Sequence, residues 1–497
     1  MASYMRRAIT STSIIYGFAI VGALFAYLLR ILFARNLTVT EYGLFYAVYA
    51  AVSLVISFSS IGLGTAITRY IPEFKIKKRF DDIKSSLVLT LVVQLIFSAI
   101  VLVLFFLFAD YLAMHYFKDQ TASLILKLVV VGLTIKCVVD TLRWGFIGFQ
   151  RFLEYSAIFH LSLLSVFLMS VVMFKCNLGY LVPALAYLIY PILFIAIFLP
   201  IFLKKTFPAF FSKKIKFDKL LIIKLMKFGL PQLIVESSIL VLTMIDTVIL
   251  TVMVGVVGVG IYNVALPTAR LILFFGEGLG VFLLPFVSEL WVRNHKTQLN
   301  EGIKLIYKYL FMLIVPLSLM IFAFADVIVT LLFGPEYYLA VNPLRVLVVG
   351  LVFYSFFNVN SSVFSGINKP EINARLMLIG VLFNVVANIL LIKYFTVTGA
   401  AIACALTFAV MLVLSMFYLK KFLTLALPIV YWLKIAVISV VVTLLAFVLK
   451  HQFSLNPYLE SVLIGVLCGS VYLVLILITK LLDVGEIKSI INQAREK

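Results

Sequence analysis

Charge is scarce in this sequence. Asp, Glu, Lys and Arg make up 12% of the 497 residues, about half the roughly 25% carried by a soluble domain. No polar stretch is long enough to build a soluble domain of any size. Cysteine and histidine are scarce too. Cys137, Cys176, Cys404 and Cys468 lie far apart, as do His115, His160, His295 and His451, and there is no Cys-x-x-Cys pair. Neither a zinc module nor thiol redox chemistry is expected, and no motif asks for a metal or cofactor. Acidic residues are the rarer charged kind, 21 against 41 basic, for a net charge of +20. In a soluble protein that excess would point to nucleic acid. In a chain this apolar it points to anionic lipid headgroups and to an orientation in the membrane, and no nucleic-acid partner is expected.

What is abundant is apolar sequence. The residues are 64% hydrophobic and the mean hydropathy is +1.18; a soluble fold of that composition would expose more apolar surface than water tolerates. The apolar residues come in blocks of about 20, enough to cross about 30 Å of hydrocarbon at 1.5 Å per residue. An α-helix satisfies its own backbone polar groups over such a block, as lipid requires. The blocks fall at 12–33, 42–65, 86–109, 123–146, 155–174, 181–203, 228–254, 259–286, 305–325, 343–367, 374–391, 399–419, 430–448 and 461–479. The sequence therefore predicts an all-α membrane protein with about fourteen spans. The first run follows Arg6 and Arg7 in the manner of a signal peptide, but it continues to about Phe33, beyond the 7–15 residues of a signal core, and reads as a spanning helix.

Lys and Arg are distributed unevenly between alternate connections. One set holds roughly thirty, concentrated at 69–84 and 204–227, and the other about six: Arg35, Lys118, Lys175, Arg345, Lys393 and Lys450. The positive-inside rule places both termini in the cytoplasm, as an even number of spans also requires. The basic linker 204–227 divides the chain into a six-helix lobe (1–203), a second such lobe (228–419) and a terminal pair with a cytoplasmic tail (420–497). A weak repeat relates the lobes. Gly43-Leu44-Phe45-Tyr46-Ala47-Val48 opens the second span and Gly260-Ile261-Tyr262-Asn263-Val264-Ala265 opens the eighth; Gly62-Leu63-Gly64 and Gly278-Leu279-Gly280 follow at nearly the same offset. Both lobes start inside, so the repeats are parallel, a layout used by alternating-access carriers.

Ionisable groups deep in a span are costly and usually face an internal cavity. Those present are Arg30, Lys127, Lys136, Arg143 and Arg270, with Asp140, Glu236, Asp246 and Glu277. Lys127 lies near an outer end, where its stem can snorkel. Lys136, Asp140 and Arg143 share one face of the fourth span, either as a structural ladder or as a site with one net positive charge. Arg30 either snorkels or offers its five-donor fork to phosphate. Arg270 lies near mid-membrane, where it lines a cavity and binds an anion or else pairs with Asp246 or Glu236 of the seventh span. Glu236, Asp246, Glu277 and Asp140 are candidates for a site coupled to H⁺ or Na⁺, or for structural pairs. Asn358, Asn360, Asn384 and Asn388 are expected to hydrogen-bond between helices. Pro183, Pro191, Pro231, Pro267, Pro285 and Pro316 mark positions where spans can kink.

Several stretches resemble a known family. They are Ala34-Arg35-Asn36-Leu37-Thr38-Val39-Thr40-Glu41-Tyr42-Gly43-Leu44, the run from Ile61-Gly62-Leu63-Gly64 to Arg69-Tyr70-Ile71-Pro72, Ile245-Asp246 with Val259-Gly260-Ile261-Tyr262, and Asn384 and Asn388 leading to Gly399-Ala400-Ala401. These resemble the Wzx-type polysaccharide and oligosaccharide flippases of the multidrug/oligosaccharidyl-lipid/polysaccharide (MOP) exporter superfamily. The resemblance implies a MATE-like fold with two pseudo-symmetric six-helix lobes, a central cavity, and alternating access rather than enzymatic chemistry. It implies transfer of a polyprenyl-(pyro)phosphate-linked oligosaccharide from the cytoplasmic to the outer leaflet of the cell membrane for surface glycan assembly. Lipid-linked oligosaccharide, membrane lipids and glycan-assembly enzymes would be the partners. On this reading Arg30, Arg143 and Arg270 are candidates to hold phosphate, and Tyr46, Tyr49 and Tyr262 to stack on sugars. A cation-coupled multidrug exporter of the same superfamily is the rival, although the intramembrane charges lean positive. A membrane glycosyltransferase or glycan polymerase is a further alternative. It would need catalytic carboxylates beside a sizeable outer loop, and the outer loops here are short.

Overall fold

The computed structural model describes residues 2–482 apart from 217, 425–426 and 451–455, and within that range the side chains other than those of 2–16, 234–235, 274–282 and 457. Among the described residues the chain is helical, with no strand. Contacts divide it into two compact units, Met1–Val264 with Val381–Ala400, and Ala265–Gly380 with Ala401–Lys497.

The first unit holds α1 (Ala2–Asn36), α2 (Val39–Ile56), α3 (Leu63–Ile76), α4 (Phe80–Leu112), α5 (Ala122–Gly148), α6 (Phe152–Lys175), α7 (Val182–Ile201), α8 (Lys219–Met253) and most of α9 (Val256–Ala269). The hub is α5, which packs against α2, α3, α4, α6 and α7. A capping box starts α2: Glu41 N–H donates to Thr38 Oγ1 at 3.2 Å, and Thr38 N–H donates to Glu41 Oε2 at 2.9 Å, satisfying two donors that a helix start leaves orphaned. The span expected over 42–65 is interrupted. Ser57–Ser60 tighten into a 3-10 turn, Ile61 and Gly62 turn left-handed at φ 46° and 69°, and α3 begins at Leu63. A Cβ at position 62 would lie 1.9 Å from the backbone oxygen of Gly229, so glycine both turns the chain here and lets α8 approach. Gly43 rests against the backbone of Val256 and Gly260 on α9. Gly43 and Gly260 hold equivalent places in the sequence repeat, and they face each other.

The second unit holds α10 (Leu273–Val292), α11 (Lys296–Ala323), α12 (Ala325–Leu332), α13 (Val341–Gly366), much of α14 (Pro370–Leu419), α15 (Ile429–Leu449) and α16 (Pro457–Ile478). The span expected over 259–286 is broken, near the kink position that Pro267 marks. Arg270–Ile272 form a 3-10 turn between α9 and α10, just after Pro267, which removes a helical hydrogen bond and crowds the preceding turn. Straight, the 50 residues of α14 would extend about 75 Å, far beyond a bilayer. Instead the chain reverses where Thr396 leaves helical geometry (φ 50°, ψ −127°). A Cβ on Gly399 would lie 2.2 Å from Leu391 O, and one on Gly380 would lie 2.5 Å from Met411 Sδ, as in two antiparallel helices. Twelve described helices are long and apolar enough to span a membrane. With α14 read as two crossings and the broken α9–α10 as one more, the fourteen expected blocks are all accounted for.

Polar groups stitch this unit. Tyr307 of α11 donates to Asn360 Oδ1 of α13, and Asn360 Nδ2 donates to Ser415 Oγ of α14 at 2.7 Å, the interhelical role expected of Asn360. On α15 and α16, Ile435, Val442 and Ala446 share a buried cluster with Ile464, Cys468 and Tyr472. Lys450 pairs with Asp326 of α12 at 2.6 Å.

Candidate functional site

In the first unit a cavity of about 290 Å³ opens beside α5, lined by Tyr49, Lys136, Asp140, Arg143, Tyr187 and Tyr190, with Phe159 and Ser162 of α6 closing one wall. The i, i+4, i+7 spacing does place Lys136, Asp140 and Arg143 on one face. Lys136 Nζ donates to Asp140 Oδ2 at 2.5 Å, and Arg143 lies 3.6 Å from Asp140 Oδ1. One carboxylate thus serves two cations, leaving one positive charge in excess. Arg143 is also under-satisfied. Its Nε is buried with no hydrogen-bond partner, while its guanidinium plane lies over Trp144 at 4.8 Å and Phe159 at 5.2 Å. Aromatic faces hold such a plane by cation–π attraction without consuming its N–H donors, which stay available to an anion.

Tyr187 and Tyr190 reach this site because Gly132 of α5 lets α7 come close; a Cβ there would lie 2.7 Å from Tyr187 O. Tyr49, Tyr187 and Tyr190 form a chain of rings at 5.1 and 5.9 Å. Their faces and hydroxyls suit a sugar, which offers both C–H surfaces and hydroxyl groups.

Arg30 and Tyr46 are placed differently. Tyr46 is 7% exposed, and the Arg30 guanidinium sits 4.6 Å above its ring. Arg30 Nη1 donates to the backbone oxygen of Asn263 at 3.2 Å, and the Tyr42 hydroxyl donates to the same oxygen, also at 3.2 Å. The origin of that acceptor lies in the sequence. Asn263 is four residues before Pro267, which has no N–H to give, so the Asn263 carbonyl lacks its helical donor. Arg30 and Tyr42 take that place. Arg30 is therefore held by α9 and a ring, and neither it nor Tyr46 lines the cavity.

The remaining candidates divide further. Asp246 of α8 is fully buried. It accepts from Tyr262 Oη at 2.5 Å and from Asn388 Nδ2 at 2.7 Å, and Asn384 Oδ1 accepts from the same Asn388 amide at 3.1 Å. Tyr262 has no exposed face in this structure, and its hydroxyl serves the Asp246 cluster. Glu236 is half-buried, near the Thr65 hydroxyl and within the field of Arg143. Arg270 is half-buried in the turn after α9 and is not among the residues lining the cavity. Glu277 lies outside the residues whose side chains are described. Lys127 pairs with Asp110 at 3.6 Å. Among the described residues no group of three or more His, Cys, Asp or Glu gathers to hold a metal. Tyr187 and Tyr190 carry no charge and sit in an apolar run, so no sequence signal singled them out.

This all-helical fold resembles solved structures of a flippase and of a transporter. It matches an inward-closed lipid II flippase MurJ with a TM-score of 0.73 at 15% identity, covering 92% of this chain and 97% of that one. It matches an inward-facing multidrug MATE transporter with a TM-score of 0.66 at 16% identity, covering 80% and 93%. By sequence the chain belongs to the polysaccharide biosynthesis protein family, whose model matches residues 9–291; a MatE model also matches 231–390. A Methanocaldococcus jannaschii membrane protein, MJ1068, is 30% identical over 99% of both chains. A probable low-salt glycan biosynthesis flippase, Agl15 of Haloferax volcanii, is 30% identical over 33% of this chain and 35% of its own.

Proposed function

We propose that this flippase of the MOP superfamily moves a polyprenyl-(pyro)phosphate-linked oligosaccharide from the cytoplasmic to the outer leaflet of the cell membrane, with both termini in the cytoplasm. The observation that carries the reading is the net-positive ladder of Lys136, Asp140 and Arg143 in a cavity rimmed by Tyr49, Tyr187 and Tyr190. A glycosyl phosphate cannot cross hydrocarbon, whereas its polyprenyl tail stays in lipid. Arg143 and Lys136 meet the phosphate with charge-assisted bonds, which are about twice as strong as neutral ones, and the tyrosines meet the sugar. Movement follows only if inward- and outward-open states bind the headgroup differently, as alternating access by two six-helix lobes requires. Asp246 and Glu236 are the groups to accept H⁺ or Na⁺ if transport is ion-coupled.

The test is flipping of a fluorescent polyprenyl-diphosphate oligosaccharide by the protein in liposomes, read by quenching of outward-exposed label. The wild-type protein is expected to flip it and Arg143→Ala to lose that activity. Efflux of cationic dyes without flipping would identify a multidrug exporter and overturn the proposal.

A further inference from the structure

The second unit contains a larger cleft that the flippase reading does not use. It has a volume of about 1140 Å³ between the starts of α11 and α15 and the end of α16. Among the described residues its polar lining is dominated by Lys304, Lys308 and Lys434, with Glu301 as the one carboxylate, and its apolar lining includes Ile429 and Val430. The described ion pairs of this unit, Arg293–Glu289, Lys369–Glu371 and Lys450–Asp326, involve neither Lys304 nor Lys434. Among the described lining residues basic side chains thus outnumber acidic ones, around a cleft with an apolar wall.

The frame of the cleft is fixed. Tyr431 donates to Leu481 O at 2.7 Å and its ring lies 5.0 Å from Lys308 Nζ. Trp432 Nε1 donates to Tyr307 O at 3.3 Å and stacks on Phe311 at 5.2 Å. The charged part of the cleft is continuous with exposed apolar surface, since Ile429, Val430 and Leu433 at the foot of α15 are 58%, 69% and 61% exposed. Free phosphate would use the lysines but not that wall. A diacyl lipid uses both: its phosphate meets the ammonium groups, and its chains cover the apolar residues, as lysines at a membrane boundary commonly allow.

We propose that this cleft is a resident site for one anionic glycerophospholipid, in the cytoplasmic leaflet under the orientation given above. The lipid bridges α11 to the terminal helices α15 and α16. The site does not depend on what the cavity of the first unit carries.

Native mass spectrometry of the full-length protein with added dioleoyl phosphatidylglycerol tests this. The wild type is expected to retain one such lipid more than the K304Q/K308Q/K434Q variant, with at least about tenfold weaker retention in that variant. The K304R/K308R/K434R variant should keep the lipid, and dioleoyl phosphatidylcholine should not replace it. Equal retention by the glutamine variant, equal retention of phosphatidylcholine, or displacement by millimolar inorganic phosphate would each overturn the proposal, the last by identifying a free-phosphate site. If the triple variant does not fold, Lys434→Gln alone gives the reading, with about threefold weaker retention expected and unchanged retention counting against the site.

Discussion

Two clusters in the same unit are built from similar intramembrane residues and reach opposite states. Around Asp246 both oxygens are met: Tyr262 and Asn388 donate to them, and no part of the carboxylate is exposed. Around Asp140 the partners fall short. One carboxylate is shared by Lys136 and Arg143, and Arg143 Nε is left without a partner beside an open cavity. Buried polar groups are nearly always satisfied, and what sets the unpartnered Arg143 Nε apart from the unpartnered Asn388 Oδ1 of the Asp246 cluster is that Arg143 lines a cavity. What separates a structural charge from a binding charge in this membrane protein is thus the number of its partners and its access to a cavity rather than its depth.

The sharpest way to break that comparison is Asp246→Ala. It leaves the Tyr262 hydroxyl and an Asn388 N–H without their acceptor in a fully buried place, at about 1–3 kcal/mol each. A loss of about 3 kcal/mol is expected, read as a sharp drop in the thermal midpoint and in folded yield. If Asp246→Ala were as stable as wild type, the cluster would not be structural. Arg143→Ala makes the converse case. It should lower flipping on the order of 100-fold, about 2.8 kcal/mol of lost headgroup binding at about 1.4 kcal/mol per tenfold, while changing stability by less than about 1 kcal/mol. Equal damage to stability and transport would show that Arg143 only completes a ladder.

Two gentler substitutions sharpen the same contrast. Asp246→Asn keeps an acceptor oxygen and the shape of the side chain but cannot carry a proton or a full charge. The fold should survive, and any dependence of transport on a proton or sodium gradient should vanish if Asp246 is the coupling group; a gradient response identical to wild type would remove it from that role. Arg143→Lys keeps the charge but loses the planar fork and its stacking, so flipping should fall only about tenfold. Measured side by side in the liposome assay, Arg143→Ala and Arg143→Lys separate the contribution of charge from that of geometry.

Much of this fold is legible in the sequence because lipid imposes simple rules. The blocks of apolar residues define the helices, and the 3.6-residue period alone puts Lys136, Asp140 and Arg143 on one face. The repeat locates Gly43 and Gly260, which face each other. What escapes a reading of the sequence are the features that depend on how helices are rotated and interrupted. Residues apolar on every side give a helix no periodic signal of which face meets protein, so nothing marks Tyr187 and Tyr190 or shows that Tyr262 is sealed. Hydropathy is equally blind to the breaks at Ser57–Gly62 and Arg270–Ile272, because a 3-10 turn can be built from the same apolar residues as a helix. The prolines are visible, yet the consequence of Pro267 lies in another residue, the carbonyl of Asn263.

That consequence supplies the mildest and most specific test. Pro267→Ala restores an N–H aimed at Asn263 O, the acceptor that now takes both Arg30 and Tyr42. The helical donor is held at short range by its own backbone, whereas Arg30 must be held in place along a long side chain, so the new bond should displace the guanidinium. A helix interior also favours Ala over Pro by about 3 kcal/mol, which offsets the lost contacts, and the thermal midpoint should change little or rise. Transport should nevertheless slow a few-fold, because Arg30 and Tyr42 tie α1 and α2 to α9 through that one oxygen. Arg30→Gln, which has no guanidinium to displace, should be affected less by adding Pro267→Ala than the wild type is. Fully additive effects of the two substitutions would mean that they act independently, and the freed carbonyl would then be a by-product of the kink rather than the reason for it.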